Sequence, residues 1–157
     1  MFLGEWAAYA GADTWYPSWA ADGNLYTPWT DGSVVDSTTN ITFDSGSGCM
    51  DDDCVTTTGF AKIIGDDPMD LTITGVGTFE SKPLPYHGRY PCGSLYYENN
   101  WFYGTYTLDN ENGEPGRRTE ENSRRLEAGY CENWCISGPF VGFRTSSDQG
   151  NTWDEAR

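Results

Sequence analysis

The chain has 157 residues, a formal net charge of -15, 15% aromatic residues and 19 glycines. That length allows one domain with a real core, and the acid excess denies phosphates the positive field they need, which excludes nucleic acid as a partner. No run approaches the roughly 20 apolar residues of a membrane-spanning helix. Uncharged glycans are the ligand class easiest to reconcile with this surface, and polyanionic polysaccharides fit less well.

Abundant aromatics and glycines, with few aliphatic residues, are the profile of an all-β protein whose core is built from rings. The start, MFLGEWAAYAGAD, has no basic stretch followed by an apolar one, so no signal peptide is visible. Period-2 alternation begins at residues 14–20, pauses at the turn Ala21-Asp22-Gly23 and resumes at residues 24–30. A third strand is expected from Gly59, in GFAKIIGDD. Asn40-Ile41-Thr42 forms a glycosylation sequon, a short pattern common by chance.

The same order recurs further on. Residues 92–97 and 101–106 flank Glu98-Asn99-Asn100, and GFRTSSDQG from Gly142 supplies the third strand. The turns lie about 77 residues apart and the third strands about 83, so the chain repeats one unit with an insertion at about 110–135 in the second copy. Within the insertion, TEENSRRLEA sets Glu120 and Glu121 four residues before Arg124 and Arg125, the pattern of a short surface helix.

Repeated units of about four antiparallel strands predict a β-propeller. The first blade is expected at about 13–80 and the second at about 88–157. Two blades and part of another do not close a ring. The chain therefore reads as the N-terminal portion of a single propeller domain, completed by the remainder of the propeller or by a partner chain.

The five cysteines are Cys49, Cys54, Cys92, Cys131 and Cys135. Cys49/Cys54 and Cys131/Cys135 enclose short loops, so disulfides or free thiols are expected, and zinc is the lesser reading because His87 is the only histidine. An extracellular or periplasmic location follows from that expectation. No metal or cofactor is predicted. Calcium is the minor alternative, at the acidic loops 51–53 and 109–113, neither of which completes a 12-residue calcium pattern.

The first hairpin carries the candidate chemistry. A three-residue turn ending in Gly23 pairs Ala20 with Asn24; counting outward sets Trp19 opposite Leu25, Trp15 opposite Trp29 and Asp13 opposite Asp31. Two carboxylates so placed repel, which raises the pKa of one of them. A glycosidase requires such a pair, one acid and one base or nucleophile about 5 to 9 Å apart. Trp15 and Trp29 are then either a stacking wall for a sugar or inter-blade packing. At the rim of the second blade, YHGRYPCGS brings Arg89 and Tyr90 level with Asp13, with His87 in a turn beside them, as candidate substrate contacts.

Two resemblances sharpen these expectations. Ser146-Ser147-Asp148-Gln149-Gly150-Asn151-Thr152-Trp153 fits SxDxGxTW and resembles the Asp-box of sialidase-like propellers, a rigid turn between the third and fourth strands of a blade. In that resemblance Ser146, Asp148, Gly150 and Trp153 are structural. DTWYPSWAADGNLYTPWTDG followed by GFAKIIGDDP resembles the five-bladed propellers of bacterial carbohydrate-active proteins that include endo-D-arabinanases. This likeness covers roughly the first 70 residues, implies five blades when complete, and maps a catalytic aspartate pair onto Asp13 and Asp31. The chain departs from that family pattern at Tyr16, with the proline at Pro17.

The expected function is a glycoside hydrolase acting on a glycan through paired aspartates. The alternatives are a polysaccharide lyase, using His87, Tyr86 or Tyr90 with Arg89 beside a uronate, and a glycan- or protein-binding propeller without catalysis.

Overall fold

The computed structural model describes residues 4, 7–9, 11–46, 56–81, 90–106 and 140–155. Strands β1 (Gly11–Asp13), β2 (Ser18–Trp19), β3 (Leu25–Val35), β4 (Thr42–Ser45), β5 (Thr56–Ile64) and β6 (Thr72–Ser81) make one sheet. Strands β7 (Tyr90–Tyr97), β8 (Asn100–Tyr106), β9 (Phe140–Ser146) and β10 (Asp154–Glu155) make a second. Every pairing is antiparallel, and the described residues include no helix. The all-β expectation holds. The two sheets pack against each other and do not close into a ring. The expected insertion and its helix, both acidic loops and four of the five cysteines lie outside the described residues. Cys92, on β7, is a free thiol.

The two hairpin turns differ. In the first, the Ala20 amide donates to the Asn24 carbonyl at 2.9 Å and the Gly23 amide to the Ala20 carbonyl at 3.1 Å. Gly23 has a φ of 80°, so this is the expected three-residue turn, closed by a left-handed glycine. The second turn is one residue shorter than expected. Tyr97 pairs with Asn100, leaving Glu98 and Asn99 as a two-residue loop with φ of 46° and 61°. Two successive positive φ values mark a type I′ turn, whose twist suits a tight hairpin and which asparagine tolerates well.

The first sheet is richer than the four-strand unit expected from the repeat. The long β3 pairs with β5 along residues 25–29, and beyond them with β4 along residues 32–35. Its other edge meets β1 and β2, which are two pieces of one interrupted strand. The interruption at residues 14–17 has a chemical cause. Pro17 and Pro28 each lack an amide proton, so the ladder loses two donors in one place. The Tyr16 amide is satisfied by a side chain, donating to Thr27 Oγ1 at 3.0 Å.

Rings form the core between the sheets, as the composition predicted. Tyr26 and Phe60 from the first sheet meet Trp101 and Tyr103 from the second, with Trp153 and Tyr96 packed alongside. Phe60 stacks on Trp153 with centroids 4.3 Å apart and meets Trp101 and Tyr103 edge-on at 5.5 and 5.3 Å. These are the offset and T-shaped geometries favoured by ring quadrupoles. A smaller cluster of Trp29, Val34 and Ala61 lies on the opposite face of the first sheet, filled in by Ala12, Trp15, Phe43 and Ile73.

Gly59 exists for this second cluster. It is the cross-strand partner of Trp29, and a β-carbon there would run into the Trp29 indole. Gly77, on neighbouring β6, has open space where its β-carbon would be. Gly59→Ala is therefore expected to destabilise the fold by about 2 kcal/mol or more, and Gly77→Ala by well under half of that. Urea unfolding of both variants checks the contrast.

Candidate functional site

The outer end of the first hairpin holds the predicted aspartates, and its register is not the uninterrupted one. Between the pair Ser18–Tyr26 and the pair Asp13–Thr30, the β1/β2 side uses one residue more than β3. Between Asp13–Thr30 and Gly11–Ser33, β3 uses one more than β1. Two opposed bulges cancel each other, and each contains a non-glycine residue in the left-handed region: Thr14 with φ 54° and Asp31 with φ 50°.

Asp13 consequently lies opposite Thr30, and Asp31 shares with Gly32 the place across from Ala12. This corrects the expected Asp13–Asp31 facing pair. The two residues remain one position apart at the same end of adjacent strands, and both are exposed. Asp31 is itself engaged in an interaction. Gly32 is obligatory in this arrangement, because a β-carbon would collide with the Gly11 carbonyl of β1. The Asp-Gly pair thus has a backbone reason: an aspartate tolerates the left-handed turn, and the glycine admits the neighbouring strand.

The two tryptophans lie on the face of the first sheet to which Ala12 also belongs. Trp15 stacks on Trp29 with centroids 6.2 Å apart and an interplanar angle of 26°, and Trp15 Nε1 donates to the Ala12 carbonyl at 2.9 Å. Trp29 is 0% exposed, so it offers no face to a sugar and acts in packing. Only Trp15 keeps accessible surface. Trp29 Nε1 and Thr14 Oγ1 are buried polar atoms without a hydrogen-bond partner. Together with the two left-handed residues, at about 1–3 kcal/mol each, they concentrate backbone strain and polar cost around Asp13 and Asp31.

Of the predicted rim contacts, only Tyr90 falls within the described residues. Tyr90 opens β7 in the second sheet, partly buried and paired with Tyr106. His87 and Arg89 lie outside the described residues.

Residues 146–153 join β9 to β10 through a dense hydrogen-bonded turn. Asp148 Oδ1 accepts from the Ser146 hydroxyl and the Thr152 amide, each at 2.8 Å, and Asp148 Oδ2 from the Thr152 hydroxyl at 2.6 Å. The Thr152 hydroxyl and amide and the Ser146 hydroxyl hold the Asp148 carboxyl below its ordinary pKa. The Gly150 amide donates to Ser146 Oγ at 2.7 Å, and Gly150, with φ 93°, leaves room for the Trp101 ring. Trp153 Nε1 donates to the Gly150 carbonyl at 3.1 Å while the indole enters the inter-sheet core.

Two polar features were not anticipated. Arg144 is only 1% exposed; its guanidinium lies 4.2 Å over the Phe79 ring and Nη1 donates to the Tyr103 hydroxyl at 2.7 Å. A basic residue in the apolar run FVGFRTS was the available signal for it. The other feature is at the hairpin tip, where Lys62 and the Tyr26 hydroxyl reach Asp22 Oδ2 at 3.2 and 2.9 Å. The Tyr26 hydroxyl also lies 3.2 Å from Gln149 Oε1 of the β9–β10 turn, tying the sheets at their polar rim.

Comparisons with protein-family models, curated proteins and solved structures gave no match for this chain.

The Asp22 cluster predicts an acid-sensitive tie. Burial raises the Asp22 pKa, but the hydrogen bonds from Asn24, Tyr26 and Lys62 outweigh it and hold the carboxyl at about 2, against an ordinary 3.8. Burial and the Asp22 carboxylate push the Tyr26 phenol upward. A depressed carboxyl stabilises the fold above its ordinary pKa and loses that contribution as pH falls through its folded value. The stability gap between the native chain and Asp22→Asn should be full above pH 3.8 and vanish near pH 2. Urea unfolding across that range reads it directly, and a gap that grows on acidification would contradict the assignment.

Proposed function

We propose that this chain forms part of a β-propeller glycoside hydrolase in which Asp13 and Asp31 share the acid and base or nucleophile roles on a neutral glycan. The observation that carries the reading is the pair of exposed carboxylates at one end of neighbouring strands, set there by opposed bulges. Backbone strain gathered at a residue beside Asp13 and at Asp31 itself is a common companion of functional sites.

In this reading one carboxylic acid protonates the glycosidic oxygen as the bond to the anomeric carbon breaks. The other carboxylate either attacks that carbon or takes a proton from the attacking water. The hydrogen bonds around Asp148 support treating residues 146–153 as an Asp-box, and so as a structural turn. Ring closure calls for further sheets, from the remainder of a propeller or from a partner chain. The enzyme would act outside the cytoplasm, where such glycans are met.

One observation favours a second reading, glycan binding without cleavage: Asp13 faces Thr30 and not Asp31. Asparagine suits the left-handed position as well as aspartate, so Asp31→Asn removes the charge and keeps the backbone. Asp13→Asn and Asp31→Asn should each lower turnover on a panel of neutral polysaccharides by about 10³-fold or more, with unchanged circular dichroism. Near-native turnover in either variant defeats the hydrolase reading. Saturable binding by the native chain with no new reducing ends would support the binding module instead.

A further inference from the structure

Asn40-Ile41-Thr42, the sole Asn-x-Ser/Thr sequon in the sequence, takes no part in the chemistry above, and the fold gives it a definite place. It closes the hairpin between β3 and β4, where Val35 pairs with Thr42. The Asp36 amide donates to the Ile41 carbonyl and the Asn40 amide to the Asp36 carbonyl, each at 2.8 Å. The Asp36 carboxylate fixes the inside of this loop. Its Oδ1 accepts from the Thr38 amide at 2.8 Å and the Thr74 hydroxyl at 3.4 Å, and its Oδ2 from the Thr39 hydroxyl. Asn40 then turns the chain into β4 with a φ of 59°, a left-handed conformation that asparagine adopts readily.

Exposure separates a usable acceptor from a chance match, because a carboxamide that is buried or bonded into a turn has no nitrogen to offer. Here Asn40, Ile41 and Thr42 are all exposed. Thr38, Thr39 and Thr74 are engaged by Asp36, whereas the Asn40 carboxamide and the Thr42 hydroxyl have no hydrogen-bond partner among the described residues. The surroundings also suit a covering sugar. Val35 is 45% exposed and Ile41 54%, and among the described strands β4 pairs with β3 alone. A bulky, hydrated group on this hairpin covers both apolar side chains and keeps other strands from adding to β4.

We propose that Asn40 is an N-glycosylation acceptor that carries an oligosaccharide on Nδ2. The donor is an oligosaccharide linked through diphosphate to a lipid, and an oligosaccharyltransferase brings the two together. The Asn40 nitrogen attacks the anomeric carbon of the first sugar, forming the C–N bond as the C–O bond to the diphosphate breaks. The lipid diphosphate leaves with the bonding pair, and the nitrogen gives up one proton to a base of the transferase. The Thr42 hydroxyl, two residues on, is the second group that such a transferase reads. This modification rests on the placement outside the cytoplasm given above, and not on Asp13 or Asp31.

Incubating the folded full chain with an oligosaccharyltransferase and a lipid-diphosphate-linked oligosaccharide tests it, with the intact mass as the readout. The native chain and Thr42→Ser should each gain the mass of one oligosaccharide, and Asn40→Asp and Thr42→Val should gain none. Aspartate tolerates the left-handed position and valine suits a strand, so both variants keep the hairpin, which circular dichroism checks. A native chain left unmodified, or a mass gain that survives Asn40→Asp, overturns the proposal. Either result leaves the turnover measured on neutral polysaccharides, and with it the hydrolase reading, untouched.

Discussion

The contact between Phe60 of the first sheet and the Trp101, Tyr103 and Trp153 rings of the second holds the molecule together. With few aliphatic residues available, the sheets have little else to bury against each other. An aromatic side chain covers about 150–250 Å², so a handful of rings can replace a larger aliphatic core. The cost of such a core is geometric. Large flat groups admit few packings, and the neighbouring backbone must make room. Gly59 does so beneath Trp29, and Gly150 beneath Trp101. The turn at residues 146–153 matters for the same reason: its hydrogen bonds aim Trp153 into the inter-sheet core and bring Gln149 to the Tyr26 hydroxyl.

The candidate site is a consequence of how β3 is filled. Residues 26–30 of that strand are buried on both faces, and Pro28 gives its neighbours no amide to pair with. The strand alongside breaks at Pro17, gains a residue near Thr14 and recovers its register only when β3 gains one at Asp31. The exposed aspartates flank that repair. Backbone irregularity and the two carboxylates thus share one origin, which is why strain, unpaired buried atoms and exposed charge gather in one place.

Much of the fold was legible in the residues. Composition announced an all-β chain with an aromatic core, the repeat located both hairpins and both third strands, and Gly23 fixed the first turn and the Trp19–Leu25 pair. The register failed only beyond Pro17, since a period-2 count assumes that every residue advances the ladder equally. No residue type announces a bulge at threonine, which is sterically unsuited to a positive φ. The asparagine-rich second turn was read one residue too long because Glu98 and Asn99 accept the left-handed conformation without a glycine. The counted register made Trp29 a candidate ligand contact; its complete burial depends on Gly59 and Trp15, distant in sequence and adjacent in space. Arg144 was concealed in the same way, its charge covered by the Phe79 ring of the other sheet.

The most direct measurement is a double-mutant cycle on Phe60 and Trp153, using Phe60→Leu, Trp153→Leu and the pair, with stability read by urea unfolding. If these rings join the sheets, the double variant should lose about 1 kcal/mol less than the sum of the separate losses, because each single change already removes their contact. Additivity within error, with the sheets still packed, would mean that something other than the ring contact holds them together.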